Sequence, residues 1–442
     1  MVERRVLMIA YHFPPLKGSS GILRTLHFVR DLPRFGWQPM VLSAHPRAYE
    51  ACSEELLAEV PAQVLVNRAF ALDARRHLSL WRRYPGWLAR PDRWTSWLLG
   101  AIPRGWLLIR RQRPAVLWST YPIPSAHLIG YWLARLSGLP WVADFRDPMA
   151  HDGYPEDAQT WQSFLRTEQR VFARADLAVF ATPGAAALYR TRYPTAAARI
   201  HVVENGYDEA SFADLGQPEL APLLASKRVL LHSGIVYPAW RNPEALFAAL
   251  RSLLNSQPEL AQRCVLRFRA PVHDAFIATL RERYDLQEQV EILPALPYRA
   301  ALAEMLRADG LLLMQSADCN AQIPAKFYEY LRASRPICAL TDPAGDTATA
   351  MRAAGLPHIA ALDDAAQIAI TLQDFLRSMD AGTAPVAKPE VVSAAARSER
   401  ARELAHLLDG LHQRAVKPNR KTSIAATRGK EEESHELADL SD

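Results

Sequence analysis

Apolar runs of four to seven residues alternate along the 442-residue chain with longer stretches whose apolar positions recur every three or four residues. "RVLMIAY" reads as a strand, "GILRTLHFVRDL" as a helix with Ile22, Leu26 and Val29 on one face, and "QPMVLSA" as the next strand. "PAVLWST", "PWVADF", "DLAVFAT" and "IHVVENG" continue the strands, with helices at "SAHLIGYWLARLSG" and near residues 157–174. A polar, proline-containing segment, "YDEASFADLGQPELAPLLASK", interrupts the series. It restarts with "RVLLHSG", "CVLRFRA", "VEIL", "GLLLMQS", "PICALT" and "PHIAAL". This alternation predicts an α/β protein with parallel sheets covered by helices on both faces. One hydrophobic core rarely organises so long a chain, so two doubly wound, Rossmann-like domains are expected, over residues 1–206 and 227–388, joined by a linker at 207–226. A helix over 389–416 is expected to cross back to the first domain, and the charged stretch 417–442 to be a disordered tail. A ligand of such a pair is expected in the crevice between the two sheets.

Composition adds limits. With 49% hydrophobic and 22% charged residues the chain can bury sizeable cores. Cys52, Cys264, Cys319 and Cys338 are scattered, which suits neither a disulfide framework nor a zinc site. The opening "MVERRVLMIAYHFPP" lacks the plan of a signal peptide, and the best candidate for a spanning helix, "WLLGAIPRGWLLI", is expected to be broken at Pro103 and Arg104. The expected location is therefore cytoplasmic. Residues 75–113 set many arginines and five tryptophans against one acid, Asp92. That mixture suits peripheral contact with the inner membrane, and equally an amphipathic helix packed on its own domain.

Three stretches carry candidate chemistry. In "AYHFPPLKGSSGILRTLHFV", Gly18 and Gly21 permit positive φ or close backbone approach after the first strand, and Ser20 can cap the helix beginning near Ile22. Amides at that helix end, with Lys17 and Arg24 adjacent, suit a diphosphate. A purely structural turn is the alternative, since neither the dinucleotide glycine fingerprint nor a Walker loop is present. In "IPAKFYEYLRASRPI", Lys326, Glu329 and Tyr330 fall on one helical face; the carboxylate can accept ribose hydroxyls and the ammonium can face phosphate. A surface ion pair is the alternative there. In "HSGIVYPAWRNPEAL", Gly234 ends a strand and Arg241 sits in the following loop, placed for an anion or for a surface salt bridge.

Together with "STYPIPSAHLIG", "PWVADFRDP" and "VVENGYD", these stretches resemble, in order, the glycosyltransferase family 4 enzymes of the GT-B fold, in particular a bacterial subgroup linked to surface-polysaccharide synthesis. The resemblance covers roughly residues 4–380. It implies a retaining, metal-independent hexosyltransferase moving a sugar from a nucleotide-diphosphate-sugar co-substrate to a glycan or polyprenyl-linked acceptor, with no other cofactor and no nucleic-acid partner. Donor binding would fall to Gly18, Gly21, Arg24, Gly234, Arg241, Lys326 and Glu329. The wider family carries a second glutamate eight positions before Glu329; here Ala321 stands there, with Asn320 and Gln322 as neutral substitutes, and Ile235 replaces a common arginine. Asp144, Arg146 and Asp147 end a buried strand and would face the crevice as catalytic groups, or form an ion pair that fixes the loop. His127 is a further catalytic candidate and His12 lies before the prolyl turn; either is also readable as a satisfied structural histidine. The alternatives in function are a nucleotide-sugar epimerase or hydrolase on the same fold, and a non-catalytic nucleotide-sugar-binding assembly protein.

Overall fold

The computed structural model describes residues 4–18, 21–79, 84–151, 153–213, 215 and 223–416; Ser20, most of 214–222 and the stretch 417–442 lie outside them. Among the described residues thirteen strands form two sheets that are parallel throughout. The first runs β3-β2-β1-β4-β5-β6-β7, from β1 (Arg4–Ile9), β2 (Trp37–Ala44), β3 (Leu65–Ala69), β4 (Val116–Thr120), β5 (Trp141–Arg146), β6 (Leu177–Phe180) and β7 (Ile200–Val202). The second runs β10-β9-β8-β11-β12-β13, from β8 (Arg228–Ser233), β9 (Cys264–Arg269), β10 (Val290–Leu293), β11 (Gly310–Met314), β12 (Ile337–Leu340) and β13 (Ile359–Ala360). The central strands are buried along most of their length, as expected of sheets covered on both faces. In each sheet the order reverses at the middle, between β1 and β4 in one and between β8 and β11 in the other.

Two compact units contain these sheets. The first holds the described residues of Met1–Phe180, Arg190–Val203 and Ala401–Asp442, and the second holds Ala181–Tyr189 and Glu204–Arg400. Val6, Met8, Trp37, Val41 and Trp118 of the first sheet pack with Phe28 and Val29 and with Ala401, Leu404, Ala405 and Leu408 from the helix Arg397–Val416. Asp409 of that helix accepts from Trp37 Nε1 at 2.8 Å and pairs with Arg4. In the second unit, Leu230, Leu266, Phe268, Leu312 and Leu340 meet Phe247, Leu250 and Phe375 on one face of the sheet, while Leu231, Leu311 and Leu313 meet Phe327, Leu331 and Met351 on the other.

Two local expectations change. The strand β3 was not anticipated, because Asn67 and Arg68 break its apolar run. The helix Trp97–Gln112 passes through Pro103 without ending there. A proline removes one helical hydrogen bond, and Pro103 is exposed, so water can take up the carbonyl it frees. No helix among the described residues is long and apolar enough to cross a membrane.

The helix Pro124–Ser137 lies against β4 and β5, and Gly130 brings it onto the fully buried Trp141. A methyl group added at Gly130 would lie 2.7 Å from Trp141 Nε1 and 2.8 Å from Cε2. That ring is held by a 2.9 Å bond to Ser119 Oγ. Gly130→Ala should therefore destabilise the protein by about 1–3 kcal/mol, outweighing alanine's gain of about 1 kcal/mol in helix propensity. Urea denaturation measures this, and an unchanged midpoint would show that the indole moves aside freely.

Candidate functional site

In open parallel sheets, loops leaving the carboxyl ends of two strands diverge where the strand order reverses, and the gap admits a ligand. In the second unit that gap lies between β8 and β11. Leaving β8, the chain turns at Gly234 with φ +106°, a conformation that excludes most side chains. A methyl group there would sit 3.4 Å from Lys326 Nζ. Lys326 lies in the first turn of the helix Ala325–Ala333, and its Nζ is 3.0 Å from His232 Nε2. The other ring nitrogen of the buried His232 is 3.0 Å from the carbonyl of Leu312. Donation from Nδ1 to that carbonyl leaves Nε2 as acceptor for the ammonium. Burial, with the Lys326 charge beside it, holds His232 well below its ordinary range, in keeping with a neutral ring.

Arg241 donates to the Ile235 carbonyl at 2.9 Å and lies over the Tyr237 ring at 5.4 Å from its centroid. Burial lowers the Arg241 pKa. Burial first, then repulsion from Arg241, lowers that of Lys326, with Glu329 opposing. Two cations that disfavour each other's charge make a place where an anion is welcome. Glu329 makes no ion pair with Lys326 among the described residues, so the surface-pair alternative fails. Its Oε1 accepts instead from the Tyr298 hydroxyl at 2.8 Å. Tyr330 turns inward, its oxygen accepting from the Ser233 amide at 3.0 Å. Asn320, a neutral substitute near Ala321, donates its amide to Asp342 at 2.5 Å. An open groove of about 670 Å³ near the same edge is lined by Asn242, Glu244, Ser316, Asp342 and Asp363, and its three carboxylates make it unsuited to a phosphate.

The first unit reverses between β1 and β4. Gly18, with φ +88°, belongs to the loop leaving β1, and Gly21 opens the helix Gly21–Asp31. Arg24 is bonded to the first sheet and the loop after β7. It is buried, its Nε and Nη2 donating to Asp144 at 3.0 and 2.9 Å and Nη2 also to the Val203 carbonyl at 2.8 Å. Thr120 Oγ1 donates to the same carboxylate at 3.0 Å. Asp144 is thus the anionic half of a buried pair, and the structural alternative holds for it. The catalytic reading of His127 also yields: the ring is fully buried, 2.8 Å from Ser119 Oγ through Nδ1 and 4.8 Å from the Phe145 ring, and burial pushes its pKa down to about 3.

Arg146 and Asp147 remain near the strand ends. The pairing of β5 with β6 slips between Asp144 and Arg146, and Arg146 has φ +62°, so the alternation that would send Arg146 the way of Asp144 is broken. Arg146 reaches the Tyr121 carbonyl at 3.4 Å. Burial lowers its pKa and raises that of Asp147, while burial and the Arg146 charge bring His12 to about 4. His12, Tyr121, Arg146 and Asp147 therefore form one cluster at the reversal of the first sheet. Among the described residues no group of His, Cys, Asp and Glu could hold a metal.

Of the residues that complete these clusters, His232 is signalled in the sequence by a lone polar position inside "RVLLHSG". Tyr298 has no such signal, because its meeting with Glu329 joins segments 31 residues apart.

Comparison with known proteins adds to this geometry. Residues 22–206 match the model of the glycosyl transferase 4-like domain. The chain has the GT-B fold. A sucrose-phosphate synthase from Thermosynechococcus elongatus aligns with a TM-score of 0.59 at 13% identity, over 96% of this chain and 100% of its own. Alr3699/HepE of Anabaena, solved in complex with UDP, aligns with 0.58 at 12% identity, over 95% and 100%. A protein described as a UDP-N-acetylglucosamine 2-epimerase from Listeria monocytogenes aligns with 0.53 at 12% identity, over 91% and 95%. No curated protein matches. The domain match places a glycosyl transferase 4-like domain at residues 22–206, and the solved neighbours show the GT-B fold. In this GT-B chain the cation corner belongs to the second sheet, and the family 4-like match to the first.

Proposed function

We propose that the protein is a retaining, metal-independent glycosyltransferase that takes a hexose from a nucleotide-diphosphate-sugar donor and passes it to a glycan or lipid-linked acceptor, in bacterial surface-polysaccharide synthesis at the cytoplasmic face of the inner membrane. The corner formed by Gly234, Lys326 and Arg241 carries this reading. A diphosphate placed against Gly234 meets a backbone without a side chain in the way, an ammonium steadied by His232 and a guanidinium one loop away. Glu329, already holding one donor hydroxyl from Tyr298, has the chemistry to accept ribose hydroxyls. Fixed positive groups at a departing diphosphate stabilise the charge that grows as the glycosidic bond breaks, and such preorganised groups are commonly the largest catalytic contribution. Gly18 and Gly21, where the chain leaves β1, are proposed as further donor-binding residues, and Arg146 and Asp147, with His12, as residues on the acceptor side.

Thermal shift with a panel of nucleoside diphosphates and their sugars tests the donor half, since a ligand of the folded state raises its stability by mass action. One base should raise the melting temperature, and Glu329→Ala should remove most of that rise; no response to any diphosphate would refute the reading. The Listeria neighbour keeps an epimerase or hydrolase as the second reading. Full turnover with donor alone selects it, whereas transfer requires an added acceptor. If Glu329→Ala and Arg241→Ala leave complementation of a glycan-deficient strain intact, the protein is the non-catalytic binder instead.

A further inference from the structure

The tryptophans of residues 75–113 do not form one exposed face. Trp97 is fully buried and Trp94 half-buried, their rings 5.9 and 4.6 Å from that of Tyr11, so much of the segment belongs to the first unit's interior. What stays outside is narrower and includes a second helix. Trp97–Gln112 packs on β2 and β3, Pro124–Ser137 packs on β1, β4 and β5, and the two pack on each other. Gly105 lets them pack tightly, since a methyl group there would lie 2.5 Å from Leu133 Cδ1. Both helices thus cover one face of one sheet, and their outward residues share a surface.

That surface is unusual in two ways. Leu99 and Leu107 are 76% and 48% exposed, Trp132 and Leu136 are 40% and 53% exposed, and Pro103 lies one turn from Leu99 on the same stripe. Arg104, Arg110, Arg111, Arg113 and Arg135 are exposed alongside, and none forms an ion pair among the described residues. Residues 93–143 contain no aspartate or glutamate. Arginines left without counter-charges around exposed leucines and a tryptophan match the interface of a bilayer, where stems and rings sit among acyl chains and guanidinium groups meet headgroup phosphates. The five apolar side chains offer about a few hundred Å², short of the roughly 800 Å² per partner of a stable protein interface. Shallow insertion backed by charge has no such requirement.

We propose that the outer face of the helices Trp97–Gln112 and Pro124–Ser137 docks the protein on a membrane rich in anionic lipid, Leu99, Leu107, Trp132 and Leu136 entering the interface and Arg104, Arg110, Arg111 and Arg135 binding headgroups. This deepens the lipid-linked reading of the acceptor and rests on it for its purpose, while the binding itself requires no catalysis. Co-sedimentation with vesicles of phosphatidylcholine alone, or with one third phosphatidylglycerol, tests it on the full chain. Binding should be confined to the anionic vesicles and fall as salt rises from about 50 to 500 mM, as screening dictates. Each arginine replaced by glutamine should lower the partition about fivefold, so Arg110→Gln with Arg111→Gln should lower it about 25-fold. Leu107→Gln with Leu136→Gln should lower it further, with the melting temperature and the nucleoside-diphosphate thermal shift unchanged in both variants. Equal binding to both vesicle types, no binding at low salt, variants that bind like the parent, or concentration-dependent self-association through this face in place of vesicle binding would each overturn the proposal. A lost diphosphate response with intact vesicle binding would instead count against the transfer reading alone.

Discussion

Replacing Lys326 by methionine is expected to weaken binding of the nucleoside diphosphate selected by thermal shift about 10- to 150-fold, and to remove an alkaline gain in stability that the unsubstituted protein shows. The first effect is the loss of one charge-assisted hydrogen bond to phosphate from a group already steadied by His232 at 3.0 Å. The second follows from linkage. Burial and the Arg241 charge hold the folded lysine well below its usual 10.5, so the unfolded chain binds that proton more tightly. Below 10.5 the free protein therefore loses stability as pH falls through the interval separating the two values, and gains it as pH rises. A bound diphosphate reverses the preference, because its negative charge favours the ammonium. Binding should then take up a proton in that interval, seen in calorimetry as an enthalpy that depends on the buffer's own ionisation. Denaturation midpoints across a pH series, with titrations in two buffers, measure both. Unchanged affinity and an unchanged pH slope in Lys326→Met would place the phosphate elsewhere.

Arg24→Met and Asp144→Asn should each destabilise the first unit severely. The pair is buried and doubly bonded, with Thr120 and the Val203 carbonyl completing its hydrogen bonds. Removing one partner strands the other in a medium of low polarity, at a cost of about 3–5 kcal/mol. Replacing both, as Arg24→Met with Asp144→Leu, should recover much of that loss, since apolar groups of similar size pack without desolvating a charge. Melting temperature and urea midpoint report the effect. Were Asp144 a catalytic acid or base instead, Asp144→Asn would melt near the parent and fail only in turnover.

The two-sheet plan was legible because buried parallel strands are written as unbroken apolar runs, and helices on their faces as three- and four-residue periods. "RVLMIAY", "PAVLWST" and "GLLLMQS" are of this kind. The edge strand β3 was not, since an edge needs only one buried side and tolerates Asn67 and Arg68. The cation corner was legible in part: Gly234, Arg241, Lys326 and Glu329 each follow from position on a strand end or helix start. Arg24 and Asp144 were misread because a charge near a glycine-rich turn looks the same in sequence whether it points to solvent or to a carboxylate 120 residues away. His127 was misread for a related reason, since helical periodicity does not tell which side of the first turn the sheet will cover.

The helix Arg397–Val416 closes the core that β1 and β2 open, so the first sheet's interior is finished by residues about 400 positions downstream of its first strand. On a ribosome adding about 5–20 residues each second, the opening strands would wait some tens of seconds for Leu404 and Leu408 to emerge. Until then the apolar side of Val6, Met8 and Trp37 is covered only in part, by neighbours such as Phe28 and Val29. The strands β1 and β2 thus reach their finished state only after about 350 further residues have been made, and for that interval they are natural clients for a chaperone.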